Sequence, residues 1–268
     1  VASVMPPKQA QTACQNADTA PPHPMDVSCS TASFHDLPLQ EALACAADCG
    51  FEQVDLVAQE GGHVAPVSVR DDYETQHLLI GFGCAQARLQ LASLFVSLPD
   101  QSDEEELQLL RSSCALAHAL GLSALTVRPC RDASLALLPH WVALAVEREM
   151  ALRVFTRCRG SRAEALVGAC AESQVTLSVD LHDLSAAGSA TVEGLMQRVS
   201  EVSVDPLCSP KERQNGECGA DDLSLLVELT SQLPTLRVVT SCPPTGDRKT
   251  RLADLSALRA ALAELLVG

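Results

Sequence analysis

The sequence predicts a single (β/α)8 TIM barrel, in which eight parallel strands form a closed barrel inside a layer of helices. Short apolar segments alternate with amphipathic segments along the whole chain, and such alternation requires a parallel sheet. The 268 residues accommodate eight strand–helix units, and 47% hydrophobic residues suffice for one large core. No Gly-x-Gly-x-x-Gly follows the first strand and no Walker loop occurs, which disfavours an open nucleotide-binding sheet.

The strands are predicted from apolar runs that are bounded by turn residues. Residues 1–25 are rich in Pro, Ala and Gln, so we expect a disordered tail there, followed by one barrel domain at 26–268. The predicted strands are Asp26–Phe34, Gln53–Ala58, Leu89–Leu98, Ala124–Arg128, Ala151–Thr156, Val175–Asp180, Val199–Val204 and Leu236–Thr240.

The helices are predicted from their periodicity and from their start and stop signals. Asp36 is expected to cap the first helix, and Gly81 and Gly83 are expected to interrupt the second. Two capping boxes, each a serine followed three residues later by a glutamate, begin two further helices. The predicted helices are Leu39–Cys49, Asp72–Gln86, Ser102–Leu120, Pro139–Met150, Ser161–Ser173, Val192–Arg198, Asp221–Leu233 and Leu252–Leu266.

Charge and composition exclude several classes of partner. The net charge of −15 repels phosphate backbones, so we expect no nucleic-acid partner. No apolar run is long enough to span a bilayer, so no membrane association is expected. The twelve cysteines include no Cys-x-x-Cys, and the first residues, VASVMPPKQAQTAC, lack the apolar run of a secretory signal. These features predict a cytoplasmic protein with reduced thiols.

The segment Val175–Ser189, VTLSVDLHDLSAAGS, is the strongest candidate for a site. Asp180 ends an apolar strand, and His182 and Asp183 follow it. A carboxylate at such a place costs desolvation free energy unless it is paired, metal-bound or catalytic. In a (β/α)8 barrel, residues at the carboxyl ends of the strands share one pocket. The other polar candidates for this pocket are His35, Asp55, Ser97, Arg128, Thr156, Asp205 and Thr240.

Several segments resemble the sugar phosphate isomerase/epimerase family of xylose isomerase-like TIM barrels. They are, in order, FHDLPLQEALACAADCGFEQVDLV, ARLQLASLFVSL, EEELQLLRSSCALAHALGLSALTVRP and GECGADDLSLLVELT. The resemblance runs from Ser28 to the end of the chain and implies a sugar-converting enzyme, with a homodimer as its possible assembly. The wider group also contains apurinic endonucleases, but their multi-metal cluster and positive surface are not visible in this sequence.

The resemblance further implies one divalent metal, Mn, Mg, Co or Zn, held by residues of the last four strands. The family uses Glu, Asp, His and Glu there, and the two Glu residues move a proton beside a carbonyl. Carried over to this chain, the fifth strand offers Thr156 and the eighth offers Thr240 in place of the two Glu residues. The sixth keeps Asp180, and the seventh offers Glu201 or Ser203 in place of His. A threonine hydroxyl is neither a carboxylate base nor a strong ligand for a hard cation.

These replacements predict an altered site with no tightly bound metal, in which Asp180 and Asp183 are the remaining metal ligands. In one interpretation the chain is an isomerase or epimerase with a rebuilt site, and Asp180, His182 and Asp205 are catalytic. In the other it is a non-catalytic relative that binds a small anionic sugar-like ligand or a protein partner. The predicted ligand-binding residues are His35, Asp55, Arg128, Thr156, Arg157 and Thr240.

Two further patterns stay open at this stage. The arginines near the strand ends suit a carboxylate or phosphate group, or they pair with the acids of the same pocket. Four thiols beyond the strand ends could instead bind a soft metal such as zinc. They are Cys130, Cys158, Cys208 and Cys242.

Overall fold

Eight parallel strands close into a barrel in chain order, as the sequence predicts. The computed structural model describes residues 26–156, 168–170, 173, 175–185, 195–196, 198–204, 220–242 and 247–267. Hydrogen bonds between the first and the last strand close the barrel, with Val27 beside Val238. The strands are β1 Val27–Ser30, β2 Gln53–Ala58, β3 Gln90–Ser97, β4 Ala124–Arg128, β5 Ala151–Thr156, β6 Thr176–Asp180, β7 Val199–Val204 and β8 Arg237–Thr240.

Helices pack around the barrel and connect its strands. A short helix that the sequence pattern did not predict, Pro66–Asp71, lies directly before the helix Tyr73–Ala87. The part of the chain that the structure describes contains α1 Leu39–Asp48, α2 Pro66–Asp71, α3 Tyr73–Ala87, α4 Asp103–Ala119, α5 Leu138–Val146, α6 Leu181–Ser185, α7 Ala220–Gln232 and α8 Arg248–Val267. None of these helices is long and apolar enough to cross a membrane.

The first strand is shorter than predicted. β1 ends at Ser30, and a 3-10 turn follows at Thr31–Phe34. The hydroxyl oxygen of Ser30 accepts a hydrogen bond from the Ala32 amide at 3.3 Å, which caps this turn. A local serine–backbone bond therefore competes with the extended conformation that the apolar pattern favours.

The prediction that glycines interrupt the second predicted helix is wrong. α3 runs without a break from Tyr73 to Ala87. A Cβ atom at Gly83 would lie 2.8 Å from Cδ1 of Leu43 in α1. Gly83 thus allows α1 and α3 to pack closely, and its role is in packing rather than in ending a helix.

Asp36 does not cap α1. The N-cap position is Pro38, which makes no side-chain capping bond, and the Asp36 carboxylate instead pairs with Arg251 of α8 at 2.6 and 2.7 Å. The capping box predicted for α4 is confirmed, since Ser102 and Glu105 bond each other reciprocally. The capping box predicted at Ser161 and Glu164, like the predicted tail at 1–25, lies outside the described residues.

The main core lies between the outer face of the barrel and the helices. Alternate residues of the strands are fully buried there, for example Leu56, Val96 and Leu125. Because aromatic residues make up only 3% of the chain, leucine, valine and alanine fill most of this layer. The opposite set of alternate strand residues faces the barrel interior, where the polar groups described below lie.

Candidate functional site

Each strand contributes one polar side chain to a ring inside the barrel, which we call the polar belt. Its members are Ser28, Asp55, Ser93, Thr126, Arg153, Ser178, Glu201 and Arg237, one from each of β1 to β8. Arg153 is partly buried, and the other seven are nearly inaccessible to solvent. Burying a polar side chain costs desolvation free energy, so such side chains are buried only where their hydrogen bonds are satisfied.

Arg237 is the central group of the belt. Its two terminal nitrogens each donate a hydrogen bond to the carboxylate of Asp55 at 2.9 Å, one of them also donates to Glu201 at 3.1 Å, and the other donates to Ser28 at 2.8 Å. Burial lowers the pKa of Arg237, but the adjacent carboxylates of Asp55 and Glu201 outweigh burial and raise it above its usual value. The guanidinium therefore stays charged and ties β8 to β1, β2 and β7.

The remaining belt residues complete the hydrogen bonds of the two carboxylates. Asp55 also accepts short hydrogen bonds from the hydroxyls of Ser28 and Ser93. Glu201 accepts from Ser178 at 2.8 Å and from Thr126 at 3.3 Å, and it pairs with Arg153 at 3.4 Å. The charged members of the belt are two acids and two arginines, so their charges balance. The belt is therefore a closed network rather than a pocket for an ion.

Two residues further along each strand, the same interior face carries a second ring, which we call the mouth ring. Strand alternation places these side chains toward the interior, at the carboxyl end of the barrel where sites are usually built. The members are Ser30, Val57, Phe95, Arg128, Phe155, Asp180, Ser203 and Val239. Five of them are half-buried, unlike the sealed belt below: Phe95, Arg128, Phe155, Asp180 and Ser203.

An arginine and two aromatic rings meet on one side of the mouth ring. Phe95 and Phe155 make an edge-to-face contact with ring centroids 5.5 Å apart. The guanidinium carbon of Arg128 lies 5.9 Å from the centroid of Phe95, within the range of a cation–π contact. Arg128 also donates to the hydroxyl of Ser97 at 3.1 and 2.8 Å. These contacts hold the guanidinium over an aromatic surface at the mouth.

Asp180 ends β6, which pairs with the strand of Phe155, and it directly precedes α6. One carboxylate oxygen of Asp180 accepts the backbone amide of Asp183 at 3.1 Å, which is the geometry of a helix N-cap. Asp183 is buried, whereas His182 is exposed. Asp180 therefore combines a structural bond with a position in the mouth ring.

Thr156 and Thr240, which the resemblance places at two metal-ligand positions, lie in the opposite set of strand residues. In β5, Arg153 and Phe155 face the interior, so alternation places Thr156 on the helix-facing side. In β8, Arg237 faces the interior, and Thr240 likewise falls on the helix-facing side. The Thr240 hydroxyl donates to the backbone oxygen of Ser28 at 2.9 Å. Alternation thus puts Phe155 and Val239, rather than the threonines, in the mouth ring.

Asp55 does not stand at the end of its strand, where the sequence argument placed it. It is the third residue of β2, only 2% exposed, and its carboxylate is saturated by the belt. His35 lies half-buried in the connection after β1. Two other predicted site residues, Arg157 and Asp205, lie outside the described residues.

The Asp36–Arg251 pair fixes the loop after β1 at the same end of the barrel. The Arg251 guanidinium, through its hydrogen bonds, lowers the pKa of Asp36 to about 2. Nearby, the ring of His63 bonds the backbone oxygen of Phe34 at 2.8 Å, and burial lowers the pKa of His63. A neutral His63 is thereby part of the loop structure.

A divalent metal of the family type does not fit the residues that the structure describes. The mouth ring carries a single carboxylate, Asp180, beside hydroxyls and apolar groups. Nowhere in the described ranges do three His, Cys, Asp or Glu side chains converge as a metal site requires. For the thiol site, Cys130 is exposed and Cys242 is buried, while Cys158 and Cys208 lie outside the described ranges.

A separate cleft of about 350 Å³ lies outside the mouth ring. It is formed by the connections after β2 and β3 together with α2 and α4, and Arg70, Asp100 and Gln101 are among its lining residues. Since no mouth-ring residue lines it, this cleft is distinct from the interior site.

Sequence reasoning singled out Arg128 and Asp180, which lie in the mouth ring, but it did not single out Phe95, Phe155 or Arg237. The missed signal was alternation within the strands: VSCS, QVDLVA, QLASLFVS, ALRVFT, TLSVD and VSEVSV each repeat a polar or aromatic residue every second position. Counting that period from each strand's centre would have separated interior from helix-facing residues.

No protein-family model and no curated protein sequence matches the chain. Solved structures do match its fold. A D-psicose 3-epimerase matches with a TM-score of 0.67 and 8% identity over 91% of this chain and 100% of that one. A xylose isomerase-like TIM barrel protein from Mycobacterium smegmatis, in complex with magnesium, matches with a TM-score of 0.64 and 12% identity over 92% and 98%.

A 3-keto-D-glucoside 4-epimerase from E. coli matches with a TM-score of 0.63 and 11% identity, over 88% of this chain and 99% of that one. At such identities the likeness concerns the fold alone. The neighbours named here are sugar epimerases and xylose isomerase-like barrels. The chain therefore shares the (β/α)8 TIM-barrel fold of these proteins.

Proposed function

We propose that this protein is a sugar isomerase/epimerase-like protein that acts on a small polyhydroxylated carbonyl compound at the mouth ring, with no divalent metal of the family type. The observation that carries the proposal is the placement of Arg128 over Phe95 at the carboxyl end of the barrel. A charged group, an aromatic surface and an acid converge on one half-buried ring. Its floor is the saturated polar belt, so a ligand would bind above the belt.

The chemistry of the mouth ring suits a sugar with an anionic or carbonyl group. The faces of Phe95 and Phe155 offer apolar surface to the C–H groups of a sugar. Arg128 offers donors in a fork that matches a carboxylate, a phosphate or a carbonyl oxygen. In a chain with a net charge of −15, Arg128 supplies the local positive charge that such a ligand needs.

An isomerisation beside a carbonyl needs a base and a group that stabilises negative charge on oxygen. Asp180 takes a proton from the carbon next to the carbonyl, and the Arg128 guanidinium donates hydrogen bonds to the oxygen on which the charge develops. Return of that proton to the neighbouring carbon, with a hydroxyl proton moving to the other oxygen, gives the isomer. The isomerisation therefore involves no net oxidation or reduction.

The test is deuterium exchange in D2O with EDTA present, using a panel of ketoses, aldoses and their phosphates and following the C–H signals by NMR. We expect exchange with the wild-type protein and none with Asp180→Asn. Asparagine still caps α6, so a folded but inactive variant identifies Asp180 as the base. Exchange that persists in Asp180→Asn would remove Asp180 from this role.

A second candidate function is ligand binding without turnover. It is favoured by the single carboxylate of the described mouth ring, one oxygen of which already caps a helix. In that case the same panel shows binding to the wild-type protein and no exchange with any member. We place either function in the cytoplasm, because the eight cysteines within the described ranges are free thiols.

A further inference from the structure

The outer face of α3 exposes more large apolar surface than any other described helix. Phe82 is 68% exposed, Leu78 is 67% exposed and Leu79 is 46% exposed. Leu78 and Phe82 are four residues apart and so form one ridge on the helix surface. The opposite face of the helix, with Ile80 and Cys84, is buried against the barrel. α3 is therefore apolar on both faces, whereas a helix that meets only solvent has a polar outer face.

Charge also distinguishes this face. From Thr75 to Ala87, TQHLLIGFGCAQA, the helix carries no Asp, Glu, Lys or Arg. Charged residues make up 20% of the chain, and its net charge is −15. Two copies of such an acidic protein repel each other over most of their surfaces, and a basic partner would be drawn to the acidic surfaces instead. The uncharged α3 face is where a second copy can approach with least repulsion.

The residues that precede the barrel are poorly suited to cover this face from within the chain. Residues 1–25 contain no Leu, Ile, Phe, Tyr or Trp. They therefore lack side chains that would match a ridge of leucine and phenylalanine. A second α3 supplies the matching groups, because the same ridge is present on both copies.

We propose that α3 is a self-association surface, on which a second copy of this chain packs its own α3 about a two-fold axis. Gly81 lies beside Phe82, and a Cβ atom added there would have no neighbour within 4 Å. The glycine leaves a shallow place on the ridge where Phe82 of the other copy fits. In a two-fold contact this arrangement occurs twice, once for each copy.

The apolar surface of α3 is small, so we expect the contact between two copies to be weak. α3 is 15 residues long, which corresponds to a helix of about 22 Å. One helix face is smaller than the roughly 800 Å² per partner of a typical stable complex. We therefore expect a dimer that dissociates on dilution.

The experiment is sedimentation velocity of the full chain from about 1 to 100 µM, a range suited to interfaces of modest size. We expect the wild-type protein to shift from monomer to dimer with concentration. Phe82→Glu is expected to stay monomeric at every concentration, because two buried carboxylates would oppose each other. Val146→Glu is the matched control, since Val146 is 63% exposed on α5, and it is expected to dimerise like the wild-type protein.

A charge-exchange pair tests the two-fold arrangement. Leu78→Lys and Leu78→Glu are each expected to be monomeric alone, and their mixture is expected to form a dimer because opposite charges then meet across the axis. Unchanged circular dichroism and thermal unfolding of each variant verify that it is folded. A monomeric wild-type protein, a dimeric Phe82→Glu, a dissociated Val146→Glu or a mixture that stays monomeric would each overturn the proposal.

Discussion

The polar belt and the mouth ring are two residues apart on the same interior face of the barrel, yet they differ in almost every physical respect. All belt members except Arg153 are nearly inaccessible to solvent, and the acids and arginines of the belt satisfy each other. The mouth ring is half-buried and joins a guanidinium to aromatic and hydroxyl groups. One layer stabilises the barrel, and the next is accessible to a ligand.

The difference shows that a buried charge is not by itself a sign of a site. Asp55 has the features expected of a ligand-binding acid, but four hydrogen bonds from Arg237 and two serines occupy it. Removing one partner of such a pair leaves an uncompensated buried charge, while a group at a half-buried mouth can still reach water. Substitutions in the belt should therefore mainly reduce stability, and substitutions in the mouth ring should mainly reduce ligand binding.

The largest effect is expected from Arg237→Met. The substitution keeps most of the side-chain volume but leaves Asp55 and Glu201 without their cation. We expect a loss of about 3–5 kcal/mol in the free energy of unfolding, measured by urea denaturation. Arg248→Met is the control, because Arg248 pairs with Glu41 at 3.8 Å on the surface. It is expected to change stability by no more than about 1 kcal/mol, and equal losses in the two variants would remove the belt's special role.

Arg128→Met is expected to act on binding instead. A lost charge-assisted hydrogen bond is worth about 1.5–3 kcal/mol, or roughly a 10- to 100-fold weaker affinity for an anionic sugar. Calorimetric titration with aldonates and sugar phosphates measures this effect. Stability should change less than in Arg237→Met, because Arg128 is half-buried whereas Arg237 is nearly inaccessible to solvent. A loss of stability as large as that of Arg237→Met, with affinity unchanged, would contradict the distinction between the layers.

The contribution of the Asp36–Arg251 pair to stability is expected to depend on pH. The folded-state pKa of Asp36 is lowered to about 2 by Arg251, below the value of about 3.9 for an unfolded chain. The pair's contribution to stability is therefore fully present above about pH 4 and is lost as the pH falls toward 2. We expect the stability difference between wild type and Asp36→Asn to shrink over this window. A difference independent of pH from 6 to 2 would show that the charge of Asp36 does not matter.

The smallest expected effect concerns the reactivity of buried and exposed thiols. Cys29, in β1, is fully buried and burial raises its pKa, and burial likewise raises the pKa of Cys114 in α4 to about 12. Cys130 lies two residues beyond Arg128 and is exposed. Iodoacetamide should therefore modify Cys130 in the native protein and leave the other two unmodified, as mapped by mass spectrometry. Rapid modification of Cys29 would show that the strands open readily.

The fold could be predicted from sequence because it depends on local patterns. Apolar runs of strand length and amphipathic helices recur in order, and their bounds matched the structure within a few residues in most elements. The belt could not be predicted, because it depends on which residues the closed barrel brings together. Asp55 and Arg237 are 182 positions apart, and only the register of β8, β1 and β2 makes them neighbours.

The positions of the mouth-ring residues could be predicted only in part, for the same reason. Asp180 and Arg128 end their strands, so the general geometry of a barrel places them at the mouth. Thr156 and Thr240 were placed there by matching strand ends, but a strand has two faces, and a shift of one residue changes the face. Phe95 and Phe155 were overlooked because an aromatic residue in a strand usually belongs to the core.

The central claim is that the mouth ring binds a sugar-like ligand through Arg128 rather than through a divalent metal. It is tested most directly by titrating the EDTA-treated wild-type protein and Arg128→Met with a panel of pentose and hexose aldonates and sugar phosphates. We expect the wild-type protein to bind such a ligand with an affinity that EDTA does not weaken and that Arg128→Met reduces at least tenfold. Binding that appears only when Mn²⁺, Mg²⁺, Co²⁺ or Zn²⁺ is added, and that Arg128→Met leaves unchanged, would contradict it.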